Sequence, residues 1–205
     1  MTPEGFSFFR NRTIAGRLLG ERLCEAVNGD VVVVTISTGG FPVGESVAGK
    51  MHAMTVYLPT LNIPDPADPA KTIGAANFGC AITNEENDTP GEYIYRQVHR
   101  LQQELKSNYL DQATVFSQVI AGNQVVVVND VIDRTAPLLA AIKLIRSYGP
   151  KTLTLAAPVI TVDAYMTLRQ EVDDIVALET TSPHMLKFAF NNEDHMEFTD
   201  EIPAP

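Results

Sequence analysis

Two nearly unbroken β-branched runs constrain this chain more than any other feature. Residues 31–36 read Val-Val-Val-Val-Thr-Ile, and residues 124–129 read Gln-Val-Val-Val-Val-Asn. A strand with one wet face alternates apolar and polar residues. These runs do not alternate, so each must be covered on both faces, as the strands of a parallel sheet are. Each is followed by a short polar turn and then by apolar residues at helical spacing. The first leads through Ser37-Thr38-Gly39-Gly40 into a helix over 41–51. The second leads through residues 129–135 into a helix over 135–148, with Leu138, Leu139, Ile142 and Ile145 on one side. Gly149-Pro150 stops that helix. Strand–turn–helix units in series imply parallel pairing through right-handed crossovers.

The remaining segments fit around this frame. Residues 13–27 carry Ile14, Leu18, Leu19, Leu23, Ala26 and Val27 at helical spacing, and Asn28-Gly29-Asp30 turns the chain. A second strand is expected over 54–58. Residues 59–71 hold four prolines and are expected to be a loop, because each proline removes a donor and fixes φ. Residues 72–83 read as an extended pair or hairpin. Residues 92–110 read as a long amphipathic helix, either packed on the domain's own sheet, which is favoured, or serving as a hood helix, a dimer face or both. Strands over 152–158 and 175–178 flank a helix over 162–172. The acidic tail, 191–205, is expected to be solvated. No repeat or linker divides the chain. The expected fold is therefore α/β: one domain over residues 1–205 with its core at about 9–178, a doubly wound, mainly parallel sheet flanked by helices.

Bulk properties exclude several functions. The net charge is -10, which argues against a basic face for nucleic acid. No apolar run reaches the roughly 20 residues of a membrane span, and residues 1–12 hold no secretory-type apolar run. Cys24 and Cys80 are the two cysteines. They read as buried free thiols of a reducing cytoplasm. The four histidines show no ligand spacing, so no protein-held metal is assigned.

In a doubly wound sheet, ligands sit outside the carboxyl ends of the strands. Two turns have that position. In Ser37-Thr38-Gly39-Gly40, the glycines let backbone amides approach an anion, unless the turn is simply tight. In residues 129–135, Asn129 and Asp130 offer acceptors to ribose hydroxyls, and Asp133, Arg134 and Thr135 lead into the helix. Thr135 and the amides behind it are candidate phosphate donors. The competing structural role is an N-cap at Asp133 or Thr135, with Pro137 in the first helical turn. No G-x-G-x-x-G or P-loop motif is present.

The order Val125-Val126-Val127-Val128-Asn129-Asp130, followed by a helix over 138–149, resembles type I phosphoribosyltransferases. Phe9-Arg10-Asn11-Arg12, Ala15-Gly16 and Leu18-Leu19 resemble the opening of a bacterial subgroup of predicted phosphoribosyltransferases. Thr38-Gly39-Gly40-Phe41-Pro42-Val43 resembles that subgroup's Arg-Gly-Gly-x-Pro-Val loop, and Ile73-Gly74-Ala75 its Ile-Gly-Ala segment. The likeness spans about 9–178. It implies a Rossmann-like fold with a small hood, and a ribose-phosphate turn at Asn129, Asp130, Asp133, Arg134 and Thr135. It further implies a pyrophosphate-type loop at Ser37 to Gly40, Mg2+ as cofactor if the chain is active, and Asp130 as the catalytic carboxylate that holds the ribose. Such folds often dimerise, so a homodimer is expected.

The sequence departs from the family layout at the site itself. Asn129 stands where the first acidic residue belongs. Residues 131–136 hold no glycine, so several amides cannot easily face one phosphate. Asp133 places a negative charge there, and repulsion at about 4 Å costs about 1 kcal/mol in water. Thr38 replaces the loop arginine, and Pro59-Thr60 fall where the subgroup has Arg-Lys. Two readings follow. One is a cytoplasmic phosphoribosyltransferase-like protein with impaired or absent transfer, binding a small anionic or nucleotide-like ligand as a regulatory module. The other is an active enzyme moving ribose 5-phosphate from phosphoribosyl pyrophosphate to a nucleobase or amine. The combined departures favour the first.

Overall fold

A central sheet carries the β-branched runs, as their lack of alternation requires. The computed structural model describes residues 7–27, 29–83 and 88–191. Asn28 and the acidic tail beyond Asn191 lie outside the described residues. The elements are α1 (Arg12–Ala26), β1 (Val31–Thr35), α2 (Phe41–Met51), β2 (Met54–Tyr57), β3 (Leu61–Pro64), β4 (Thr72–Ala76), β5 (Ala81–Thr83), α3 (Gly91–Ile120), β6 (Gln124–Val128), β7 (Val131–Ile132), α4 (Ala136–Ser147), β8 (Thr152–Thr161), α5 (Val162–Leu168) and β9 (Asp174–Thr181), then a 3-10 turn at Pro183–Phe188.

All pairings in the central sheet are parallel. β2 pairs β1, β1 pairs β6, β6 and β7 both pair β8, and β9 pairs β8. Each run feeds two cores by turns. Val32, Val34, Val125 and Val127 enter the core under α3, α4 and α5. Val31, Val33, Val126 and Val128 enter the core under α1 and α2, with Leu19, Leu23, Val43 and Val47. That two-sided burial is why the runs contain no polar break.

The buried face of α1 differs from the expected one. Leu18 is 40% exposed and Ala26 is exposed. Gly16 and Gly20 are buried instead, because α2 crosses at that point. A Cβ on Gly16 would lie 2.7 Å from the Val43 carbonyl oxygen.

The proline-rich segment contains a strand after all. β3 pairs only with β4, antiparallel, and its register shifts between Ile63 and Pro64. An edge position ending in a bulge tolerates proline, whose missing N–H costs no ladder bond there. β4 and β5 form the expected hairpin. This second sheet and the first half of α3 enclose Ile63, Ile73, Ala76 and Leu101, giving a small hood. α3 runs well past residue 110, with non-helical dihedrals at Tyr109. Its later part serves the main core through Phe116 and Ile120, so the helix joins hood to sheet. At that junction Tyr109 meets the rings of Tyr57 and Phe78. Burial, and then the neighbouring Tyr109, push the Tyr57 hydroxyl up to about 12, so this contact stays uncharged at neutral pH. Asn77, fully buried, is the other joint. Its Nδ2 donates to the Ala140 carbonyl of α4 at 2.8 Å, and its Oδ1 accepts from the Cys80 amide at 2.9 Å.

Other boundaries move for visible reasons. β8 passes through Pro158 to Thr161, because Pro158 falls in the gap between pairing with β6, ending at Ala156, and with β7, starting at Val159. β9 extends to Thr181 alongside it, and α5 stops at Leu168. The cysteines are free but not buried. Cys24 is exposed and Cys80 half-buried. Among the described residues no helix is long and apolar enough to cross a membrane.

Asp173 ties α4 to the start of β8. Arg146 donates to both its oxygens, at 3.2 and 3.1 Å, and the Leu153 amide donates at 2.6 Å. The Arg146 hydrogen bonds hold the carboxyl below its ordinary 3.8, against the effect of partial burial. A carboxylate depressed in the folded state contributes stability above its unfolded value and loses it as pH falls through the folded one. Asp173→Asn should therefore cost about 1 kcal/mol at pH 7. In urea titrations across pH, the gap between variant and parent should close as pH drops below about 4. A gap that stays constant down to acid pH would contradict this assignment.

Candidate functional site

Outside the carboxyl ends of β1 and β6 lies a cleft of about 410 Å³, roofed by the hood through Thr60 and Asn62. Ser37, Gly39, Asn129, Asp130, Asp133 and Arg134 all face it. Thr38, Gly40 and Thr135 belong to the same turns but do not line its wall.

The polar groups at the strand ends are largely spent on one another. Ser37 Oγ donates to Asn129 Oδ1 at 2.6 Å and accepts from the Gly40 amide at 3.0 Å. Asn129 Nδ2 donates to the Val131 carbonyl at 3.0 Å, and the Asn129 amide to the Ala156 carbonyl at 3.1 Å. An amide is the side chain this position needs. A carboxylate could not donate to the Val131 carbonyl. The glycines of the first loop serve this contact. A Cβ on Gly39 would lie 2.7 Å from Asp130 Oδ2, and one on Gly40 2.8 Å from Asn129 Oδ1. They allow the two strand ends to meet, and the Gly40 amide is not left for an anion.

The second turn is shorter than its sequence suggests. β7 continues along β8 in the register that β6 sets, so Val131 and Ile132 remain in the sheet. Only Asp133, Arg134 and Thr135 are left to turn. Thr135 occupies the N-cap position of α4 without a side-chain cap bond, and Pro137 removes an N–H from the first helical turn. Asp133 and Arg134 are exposed and 3.9 Å apart, a contact worth little in solvent.

One cation of the cleft escaped the sequence reading. Arg12 donates from Nε to Asp130 Oδ2 at 2.9 Å. The two residues are 118 apart in sequence, and nothing local announces the pairing. Thr60, which stands where the subgroup has a cation, does line the cleft, whereas Asn62 has no local signal because the prolines around it predict a loop. Among the described residues no three His, Cys, Asp or Glu side chains converge. With Asp130 already paired to Arg12, the residues present do not make a magnesium site of their own.

A family model for the phosphoribosyl transferase domain matches residues 10–185. The chain belongs to this family. Within the phosphoribosyl transferase fold, similar solved structures include TT1426 from Thermus thermophilus, at 23% identity and a TM-score of 0.69, covering 94% of this chain and 93% of that one. A hypothetical protein from Neisseria gonorrhoeae, solved with bound ppGpp, is 11% identical with a TM-score of 0.52, covering 87% and 90%. AQ2163 from Aquifex aeolicus is 10% identical with a TM-score of 0.52, covering 82% and 72%. At these identities the likeness establishes the fold. The mostly parallel sheet flanked by helices is the one expected from the β-branched runs.

Proposed function

We propose that this phosphoribosyl transferase domain binds a small anionic, nucleotide-like ligand at Asp130 and transfers phosphoribosyl groups poorly or not at all. The observation that carries this reading is the shortened turn before α4. Val131 and Ile132 stay paired to β8, no glycine follows, and Pro137 lacks the N–H a phosphate would use. Transfer from phosphoribosyl pyrophosphate depends on preorganised donors around both phosphate groups, in the ground state and as pyrophosphate leaves. Here the Gly40 amide is bonded to Ser37, and Asp133 faces the cleft. Among the described residues Asp130 Oδ1 has no hydrogen-bond partner, and it can accept from a hydroxyl. The protein then acts as a binding or regulatory module.

The competing reading, an active transferase, draws support from family membership and from Asp130 at the strand end. Calorimetric titration with phosphoribosyl pyrophosphate, with and without Mg2+, and with ppGpp, the ligand of the Neisseria protein, separates the two when combined with an assay of pyrophosphate release over a panel of nucleobases. Binding without base-dependent release is expected. Release that disappears in Asp130→Ala would overturn the reading in favour of the enzyme.

A further inference from the structure

Arg12 stands in the cleft as a built-in cation. It begins α1, whose start is fixed by Asn11 accepting from the Ile14 amide at 2.8 Å. Its Nε donates to Asp130 Oδ2 at 2.9 Å, and its guanidinium lies over the Phe190 ring, 4.6 Å from the centroid. Phe190 is held in turn by a parallel bridge to Phe9. The Phe9 amide donates to the Ala189 carbonyl at 3.1 Å, and the Asn191 amide to the Phe9 carbonyl at 3.0 Å. Ring and carboxylate together fix the plane of the guanidinium. The Arg12 side chain is 34% exposed and that of Asp130 14%, so the carboxylate would be left largely buried and unpaired if its partner withdrew. Among the described residues neither Nη nitrogen of Arg12 has a hydrogen-bond partner, and the residue lines the cleft. Arg134, by contrast, is loose and exposed.

This placement excludes a second cation. A divalent ion in the cleft would draw on acidic side chains for its oxygen ligands. Asn129 is neutral, and its amide is spent on Ser37 and on the Val131 carbonyl. Asp133 is exposed and lies 3.9 Å from Arg134. That leaves Asp130, whose Oδ2 already holds a guanidinium. An ion on the same carboxylate would stand beside Arg12, and a double charge is repelled there twice as strongly as a single one. Resting on the binding function proposed above, we infer that Arg12 takes the place of a divalent cation in this cleft, so that an anion binds its Nη groups directly and without metal. Phe190 positions the guanidinium. Asp130 then acts in the opposite sense to a metal ligand. It orients Nε and tempers the positive charge that the anion meets.

Inorganic phosphate is the probe, titrated calorimetrically into the full chain at low ionic strength, once with a chelator and once with millimolar Mg2+. The two dissociation constants should agree within about twofold. Arg12→Met should weaken binding by about tenfold, the scale of one charge-assisted hydrogen bond. Asp130→Asn separates the alternatives by sign. The amide oxygen still accepts from Nε, so Arg12 stays oriented while a negative charge disappears. Phosphate should then bind about fivefold tighter, whereas an anion held through a metal on Asp130 would bind more weakly. Phe190→Leu should weaken binding in the parent and change nothing further in the Arg12→Met background, which loss of packing alone would not do. Affinity that rises beyond about twofold with Mg2+, fails to rise in Asp130→Asn, or is unchanged in Arg12→Met overturns the inference and leaves the binding function standing. Silence from phosphate overturns the inference as well. Silence also from phosphoribosyl pyrophosphate and ppGpp overturns both. Should Arg12→Met fail to fold, the Mg2+ comparison and the sign of the Asp130→Asn change still decide the matter.

Discussion

Gly44→Ala is expected to destabilise the protein by about 3 kcal/mol, a severe loss for one methyl group. Gly44 sits on the buried face of α2, directly over β1. A Cβ built there would lie 2.1 Å from Thr35 Cγ2, well inside contact, while the next atoms are at 3.6 and 3.8 Å. Thr35 is fully buried and β-branched, so its methyl cannot swing into empty space. Either α2 lifts from the sheet or the strand shifts, and either change disturbs the loop that carries Ser37 and Gly39. The clash has one partner, which makes it reparable. Thr35→Ala removes the offending methyl together with a hydroxyl that has no hydrogen-bond partner among the described residues. The double variant should recover most of the loss, with a coupling of about 2 kcal/mol in a double-mutant cycle read by urea unfolding. Additive losses would show that the helix is displaced by something other than this contact.

Leu155→Ala should cost a similar amount, about 3–4 kcal/mol. Leu155 is fully buried at the middle of β8, between Val127 of β6 and Ile175 of β9. Its side chain joins the core under α4. The truncation removes three carbons where neighbours on both flanks are pinned by ladder bonds, so the space closes poorly. A domain stable by about 5–15 kcal/mol loses a large share of that margin. The fitting control is Leu18→Ala in α1. Its 40% exposure predicts a change of about 0.5 kcal/mol or less. Similar losses in the two variants would mean that the burial assigned to one of them is wrong.

The Leu18 comparison shows what the sequence could and could not say. Periodicity located α1, but it ranked the face by apolar residues and overlooked Gly16 and Gly20. A glycine stripe at a helix crossing has no hydrophobic signal; only the approach of Val43 and Lys50 gives it meaning. The central strands were legible because two-sided burial leaves its mark on every residue of the run. β3 was not legible, since prolines speak against a strand until the edge that tolerates them is known. The candidate site divides in the same way. The turns after β1 and β6 were readable from strand order alone, and so were Ser37, Asn129 and Asp130. What those groups bond to was not. Ser37 and Asn129 meet across 92 residues, and Arg12 and Asp130 across 118. Local spacing carries no record of such meetings.

The clasp between Phe9 and Phe190 has a consequence in time. Arg12 leaves the ribosome well before Asp130, and Phe190 follows only after β9. Until that last segment docks, the guanidinium lacks the ring it rests on and the bridge that anchors the start of α1. A partly synthesised or unfinished chain can thus form much of the sheet while its cleft lacks an ordered cation. The stacking of Arg12 on Phe190 therefore reports that the chain has closed on itself, with the segments before α1 and after β9 in register.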